Sequence, residues 1–91
     1  MKLEDYLAKV DSKKTFLDFV EALSKDKRSA SMKEKFWKSS SHGPGHNGWQ
    51  NERIETFLDS VHSFGEDSSD VGEQPDWKAF ALLLYAGKYY E

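Results

Sequence analysis

Residues 75–90 have the sequence PDWKAFALLLYAGKYY, and this stretch decides the fold. Its apolar side chains, from Trp77 to Tyr85, would surround most of the circumference of an α-helix, whereas a surface helix carries them on one stripe. We therefore predict a C-terminal helix over about 75–90 at the centre of the molecule. We expect one buried face on this helix, formed by Trp77, Phe80, Ala81 and Leu84.

Both ends of this stretch carry further signals. Pro75 suits the first helical position, because its missing N–H needs no partner there. Gly87 costs about 1 kcal/mol relative to alanine in a helix interior, so it indicates close helix–helix packing or a frayed end. Upstream, residues 66–74 form an acidic linker that separates this helix from another one. That helix has Asn51 as a candidate N-cap and Gly65 as a candidate stop, and we expect it to bury Ile54, Phe57, Leu58 and Val61.

Helical spacing also organises the first third of the chain. A first short helix is predicted from Leu3, Tyr6, Leu7 and Val10. Asp11 and Ser12 then provide a break and a new N-cap, with Thr15 and Asp18 as a competing capping pair. The following helix has its apolar residues at Phe16, Phe19, Val20 and Leu23. The basic stretch 27–38 is predicted to form a separate short helix, because Ser31 and Glu34 have capping-box spacing.

Composition supports a helical domain without disulfides. The 91 residues contain 6 Phe, 4 Tyr and 3 Trp, no cysteine, and a single isoleucine, Ile54. Scarce β-branched residues disfavour sheets. No stretch approaches the roughly 20 apolar residues of a membrane span, and the first residues lack the apolar run of a signal peptide. We predict an all-α, compact single domain over 1–91, a bundle of four to five helices around a central C-terminal helix, in the cytoplasm.

The clearest loop spans 39–50 and contains Gly43-Pro44-Gly45-His46-Asn47-Gly48-Trp49. Glycine and asparagine favour turns there because they tolerate positive φ. Together with Trp77, Phe80-Ala81 and Tyr90-Glu91, this loop resembles a small bacterial family of unknown function. The resemblance implies a compact, helical bacterial protein, and it lends no catalytic residue. Trp49 either fills the core at the entrance of the next helix or is presented, with His46, to a partner.

Charge suggests a function. Residues 39–91 carry three basic residues against nine carboxylates, a net charge of −6. An acidic surface speeds encounter with a cationic partner. We therefore predict a non-enzymatic protein-binding module, and specifically an immunity or antitoxin protein that neutralises a basic toxin such as a nuclease. The expected partner-binding residues are Glu66, Asp67, Asp70, Glu73, Asp76, His46 and Trp49.

Two alternatives use other parts of the chain. His42 and His46 flank Gly-Pro-Gly, so the 42–49 loop could belong to a small ligand- or metal-binding protein or an enzyme. The second alternative is a nucleic-acid accessory protein that uses basic residues 27–38. With Phe36 and Trp37 this stretch has the residue types of single-strand nucleic-acid contact, although one short stretch makes a poor binding platform. The sequence has no catalytic motif, and we expect no cofactor and no metal. An EF-hand over 67–78 is excluded because Val71 and Lys78 stand where acidic ligands belong.

Overall fold

A computed structural model describes residues 1–36 and 46–90 of the chain, except for the side chains of Glu34, Phe36 and His46. The described residues contain four α-helices, one 3-10 turn and no strand. They are α1 (Leu3–Ala8), α2 (Lys13–Phe36), the 3-10 turn (His46–Gly48), α3 (Ile54–Asp67) and α4 (Trp77–Tyr89). The predicted all-α, single-domain fold is therefore confirmed. Within these ranges, no helix combines the length and apolar character needed to cross a membrane.

The start of α2 was predicted correctly, but its length was not. The Ser12 hydroxyl accepts the Thr15 N–H at 3.3 Å, and the Thr15 hydroxyl accepts the Ser12 N–H at 2.9 Å, so the two residues cap the helix reciprocally. The helix then continues without a break to Phe36. The separate basic helix predicted at 27–38 is wrong, because lysine, arginine, alanine and methionine all favour helix and no glycine or proline interrupts them. Residues 37 and 38 lie outside the described residues.

Both predicted ends of α3 need correction. The N-cap is Arg53, and Asn51 lies outside the helix. Gly65 does not end the helix, which continues to Asp67. A Cβ at Gly65 would lie 3.2 Å from the Leu83 side chain, so the glycine allows α3 to lie close to α4.

The C-terminal helix α4 is central, as predicted, and packs against α1, α2 and α3. Ala81 and Ala86 are fully buried. Toward α1, the Lys78 ammonium donates to the carbonyl oxygens of Leu7 and Ala8 at 2.7 and 3.0 Å. A cation at that position satisfies the last carbonyls of α1. The central helix therefore ties the N-terminal helix into the domain.

The beginning of α4 differs from the prediction. Asp76 is the N-cap and accepts the Lys78 N–H at 3.0 Å, so Pro75 precedes the helix instead of occupying its first position. Trp77 and Phe80 are partly exposed and Leu84 is half-buried, so the predicted buried face is correct only for Ala81. Both rings pack against Phe16, at centroid distances of 5.4 and 6.4 Å. Contact on one side leaves the rest of each ring in solvent.

The core lies between α1, α2, α4 and the residues that follow the 3-10 turn. Phe19 is its largest fully buried side chain. Aromatic rings supply much of the buried area, as expected for a small domain with few β-branched residues. The buried members of the main cluster are Leu3, Val10, Phe19, Leu23, Ala30, Trp49 and Ala81.

Candidate functional site

The described end of the loop, Asn47 to Trp49, is anchored to α2 and α4. We refer to the contacts that Asn47, Trp49 and Asn51 make with these helices, together with the Asp26–Lys88 pair, as the clasp. Asn47 has a φ of 60°, a left-handed conformation that asparagine tolerates well, and Gly48 follows at 79°. These two residues turn the chain so that Trp49 enters the core, where it is 4% exposed. The Asn47 amide donates to the Asp26 carbonyl oxygen at 3.0 Å, and the Trp49 indole N–H donates to the Asp26 carboxylate at 2.8 Å. The turn is therefore fixed to the middle of α2.

Lys88 of α4 joins the same cluster. Its ammonium lies 2.8 Å from the same Asp26 carboxylate oxygen, and the residue is only 7% exposed. It also lies 5.7 Å from the centre of the Trp49 ring, and Lys27 lies 5.6 Å from that ring. A buried cation requires such a partner, because an unpaired charge in the interior is very costly. Asp26, Trp49 and Lys88 thus connect α2, the turn and α4.

Asn51 completes the clasp at the C-terminal end of α4. Its amide nitrogen lies 2.7 Å from the Ser60 hydroxyl, 3.0 Å from the Gly87 carbonyl oxygen and 3.1 Å from the Tyr90 carbonyl oxygen. The Ser60 hydroxyl also donates to the Tyr90 carbonyl oxygen. These bonds satisfy carbonyl groups that the end of a helix leaves without intrahelical partners. This role explains why an asparagine stands at 51 without capping α3.

An apolar groove lies between α2 and α3. Both helices pack on α4 but scarcely on each other, so Leu84 of α4 forms part of the floor. The groove encloses about 330 Å³, and Trp49, which belongs to the clasp, also lines the groove. Ile54 is 77% exposed and Leu58 is 56% exposed, so the prediction that α3 buries both side chains is wrong. Ile54 lines the groove and Leu58, one helical turn further along α3, does not. The other apolar residues that line the groove are Val20, Leu23 and Phe57.

The rim of the groove is mainly basic. Lys27 and Arg53 line it, together with the acidic Glu52. A neighbouring recess of about 310 Å³ adds Lys35 beside Lys27 and Glu52. Another cation of this stretch, Lys33, donates to the Asn47 side-chain oxygen at 2.7 Å and so supports the clasp. In the second half of α2, Lys33 therefore supports the turn, whereas Lys27 and Lys35 line the groove and the neighbouring recess.

The predicted acidic residues lie at the end of α3 and along the connection to α4, and all five are exposed. Several have a role within the fold. Glu66 lies 3.6 Å from His62, Asp67 accepts the Tyr90 hydroxyl at 2.6 Å, and Asp76 caps α4. Among the described residues, the side chains of Asp70 and Glu73 make no comparable hydrogen bond or ion pair.

The predicted histidine–tryptophan site is not assembled by the described residues. Trp49 is buried, which favours its interpretation as a core residue, and the side chain of His46 is not described. His42 lies outside the described residues. Within residues 1–36 and 46–90, no group of three or more His, Cys, Asp or Glu side chains is placed to hold a metal ion.

Two tyrosines have raised pKa values. Burial, followed by the hydrogen bond from its hydroxyl to Glu4 at 3.0 Å, raises the pKa of Tyr85 from 10.0 to about 12. The hydrogen bond to Asp67 raises the pKa of Tyr90. In both cases the neutral phenol donates to a carboxylate, which an ionised phenol could not do. These contacts fix α4 to α1 and the end of α4 to the end of α3.

The comparisons with known proteins agree with the resemblance seen in the sequence. A family model described as "Family of unknown function (DUF7660)" matches residues 12–91, and the chain belongs to this family. The sequence-based prediction of a family of unknown function is therefore confirmed. The chain matches no curated protein and no solved structure.

Sequence reasoning missed the cluster of Asp26 and Lys88 and the exposed groove. Nothing local links two residues that lie 62 positions apart. The groove did have a signal. Ile54, which lines the groove, and Leu58 lie at one edge of the apolar arc of α3, and both are exposed. An arc wider than one helix neighbour can cover indicates a second contact surface.

Proposed function

We propose that this chain is a non-enzymatic protein-binding module whose binding surface is the groove between α2 and α3. The observation that carries the proposal is the exposure of Ile54 in that groove, with the exposed Leu58 one helical turn further along α3. Adjacent exposed apolar side chains around a concave surface are typical of sites that bind protein. The clasp supports this function because it holds Trp49, part of the groove, in one position.

Site-specific photo-cross-linking in cells of the source organism tests the proposal. A photoreactive residue at Ile54 lies in the groove, and the matched control is the same residue at Asp59, an exposed position of α3 that does not line it. We expect a protein that cross-links from position 54 and not from 59. The purified partner should then bind Ile54→Glu at least about tenfold more weakly than wild type, since a buried charge costs more than 1.4 kcal/mol. Equal cross-linking from both positions, or unchanged affinity, contradicts the proposal.

A second candidate is an immunity or antitoxin protein that neutralises a basic toxin such as a nuclease. It is supported by the five exposed carboxylates at the end of α3 and before α4. Asp70 and Glu73 are the best probes, because neutralising them leaves the cap of α4 and the Tyr90 contact intact. The experiment uses the product of the neighbouring gene as the test partner. We expect Asp70→Asn with Glu73→Gln to slow its association, most strongly at low salt. Equal association rates for the wild-type and neutralised proteins at every salt concentration, or the absence of a complex, would contradict this candidate function.

A further inference from the structure

We infer that the groove between α2 and α3 accommodates an amphipathic α-helix with carboxylates beside its apolar stripe. The inference rests on the proposed function and specifies the chemistry of the partner. It joins three observations: the position of the groove among the helices, the absence of backbone partners on its walls, and the charge of its rim.

The position of the groove matches the space that a helix occupies elsewhere in the same domain. Where α2 and α4 meet on the other side, α1 packs against both of them. Between α2 and α3, the described residues place no helix over the floor formed by Leu84. Leu23 and Phe57 line the two walls, so one apolar stripe lying there could contact α2, α3 and α4 together.

The helical walls of the groove favour a helical partner over an extended one. Residues of α2 and α3 use their backbone N–H and C=O groups within their own helices. An extended segment would therefore find no strand edge with which to pair, and its buried backbone groups would remain unsatisfied at a cost of about 1–3 kcal/mol each. A helix satisfies these groups internally and offers side chains at i, i+3, i+4 and i+7 to the groove.

The basic residues at the rim of the groove favour a partner helix with acidic side chains. Lys27 and Arg53 lie on opposite walls, and Lys35 extends the basic surface along α2. Glu52 is the acidic lining residue, and the exposed Glu55 carboxylate lies 3.8 Å from Arg53, so Lys27 and Lys35 carry most of the net positive charge. Carboxylates flanking the apolar stripe of a bound helix would complement these cations and speed its association.

A displayed library of amphipathic helices of about four turns tests this inference on the full chain. The apolar stripe varies among Leu, Ile, Phe and Met, and the flanking positions vary between Glu and Lys. We expect the selected helices to carry Glu at the flanks. A synthetic selected peptide should lose about tenfold in affinity when those Glu are exchanged for Lys, and salt should reduce the difference. Amide shifts on binding should concentrate at Leu23, Phe57 and Leu84.

Two variants locate the binding surface. Ile54→Glu places a carboxylate in the groove, whereas Thr56→Glu adds the same charge to the same turn at an exposed position that does not line it. Both changes put an acid in the first turn of α3, which the helix dipole favours, so both proteins should fold. We expect Ile54→Glu to weaken the selected peptide at least about tenfold and Thr56→Glu to leave it unchanged.

Several outcomes overturn the inference. They are enrichment of no helix, enrichment of Lys at the flanks, unchanged binding by Ile54→Glu, or self-association of the chain through the groove in sedimentation experiments. The proposed function is judged separately, from the partner cross-linked at Ile54. If that partner binds through an extended segment, the chain is still a protein-binding module and only the helical, acidic partner is wrong.

Discussion

Gly87 of α4 lies directly against the ring of Phe57 in α3. A Cβ atom at Gly87 would be 2.6 Å from Cε2 of that ring, closer than side-chain atoms approach one another. Phe57 also lines the groove, so this contact sets both the spacing of α3 and α4 and the position of one groove wall. It also confirms close helix–helix packing as the meaning of this glycine.

The first prediction concerns this contact. Gly87→Ala should lower the free energy of unfolding by about 1 kcal/mol, because overpacking costs about 1–3 kcal/mol and the better helix propensity of alanine returns about 1 kcal/mol. Urea denaturation measures the change. Phe57→Leu removes the clashing ring atoms. In that background, Gly87→Ala should therefore lower the free energy of unfolding by less than it does in the wild-type protein. A Gly87→Ala protein more stable than wild type would show that the two helices have room to spare.

The second prediction concerns the buried ion pair of Asp26 and Lys88. Asp26→Asn should destabilise the fold by about 2–4 kcal/mol, because it leaves the Lys88 ammonium without a charged partner. Lys88→Met should cost less, since it keeps the packed stem and leaves a carboxylate that still accepts the Trp49 N–H. The exposed pair of Lys14 and Asp18 is the control, and Lys14→Met should change stability by less than about 0.5 kcal/mol. Equal effects of Asp26→Asn and Lys14→Met contradict the prediction.

The third prediction concerns Asn51. Asn51→Asp removes an amide donor and places a carboxylate against the carbonyl oxygens of Gly87 and Tyr90, so it should cost about 2–3 kcal/mol at neutral pH. Those oxygens raise the pKa of the new carboxyl group. Its protonated form is favoured in the folded state, so stability is regained at low pH and lost as the pH rises through the folded pKa. Gln50→Glu adds the same charge at the exposed neighbouring position and should show little loss.

The fourth prediction concerns alkaline pH. Tyr85 has its pKa raised from 10.0 to about 12 in the folded protein, by burial and by its bond to Glu4. Between these values the unfolded chain releases the phenolic proton and the native protein retains it, so the free energy of unfolding falls as the pH rises. Tyr85→Phe should flatten this part of the stability profile. Glu4→Gln should lower the Tyr85 pKa in a phenolate absorbance titration, and an unchanged titration would contradict the assignment.

The fifth prediction separates groove residues from core residues. Ile54→Glu should change the free energy of unfolding by no more than about 0.5 kcal/mol, as expected for an exposed side chain. Phe19→Ala should cost about 3–5 kcal/mol because the ring is fully buried. Thermal denaturation of both variants checks the contrast. A large loss with Ile54→Glu would place this side chain in the core and remove the basis of the proposed function.

Local signals in the sequence were sufficient to predict most of the helices. The i, i+3, i+4 spacing around Phe19 identifies α2, and Ser12 has the side chain needed to begin it. The dense apolar run around Ala81 correctly predicts a central α4. The capping signals at Ser31 and Asn51 were misleading, since a capping side chain has that role only where the chain also changes direction.

The candidate site was less predictable because it depends on contacts between distant residues. Helical periodicity shows that Ile54 and Leu58 are on an apolar face, but it cannot show that α2 stops short of covering them. The role of Asp26 depends on Trp49 and Lys88, which come from two other parts of the chain. Burial of Trp49 was one of the two expected alternatives, because Asn47 and Gly48 predict a turn immediately before it.

The pairing of Asp26 with Lys88 has a consequence for biosynthesis. A ribosome releases the chain from the N-terminus, so α2 emerges long before the lysine that lies 62 positions later. Until α4 follows, Phe19 and Leu23 have no central helix to cover them, and Trp49 lacks part of its cluster. Apolar surface of the nascent chain therefore stays exposed until α4 has been synthesised, and the Asp26–Lys88 pair forms only after Lys88 has left the ribosome.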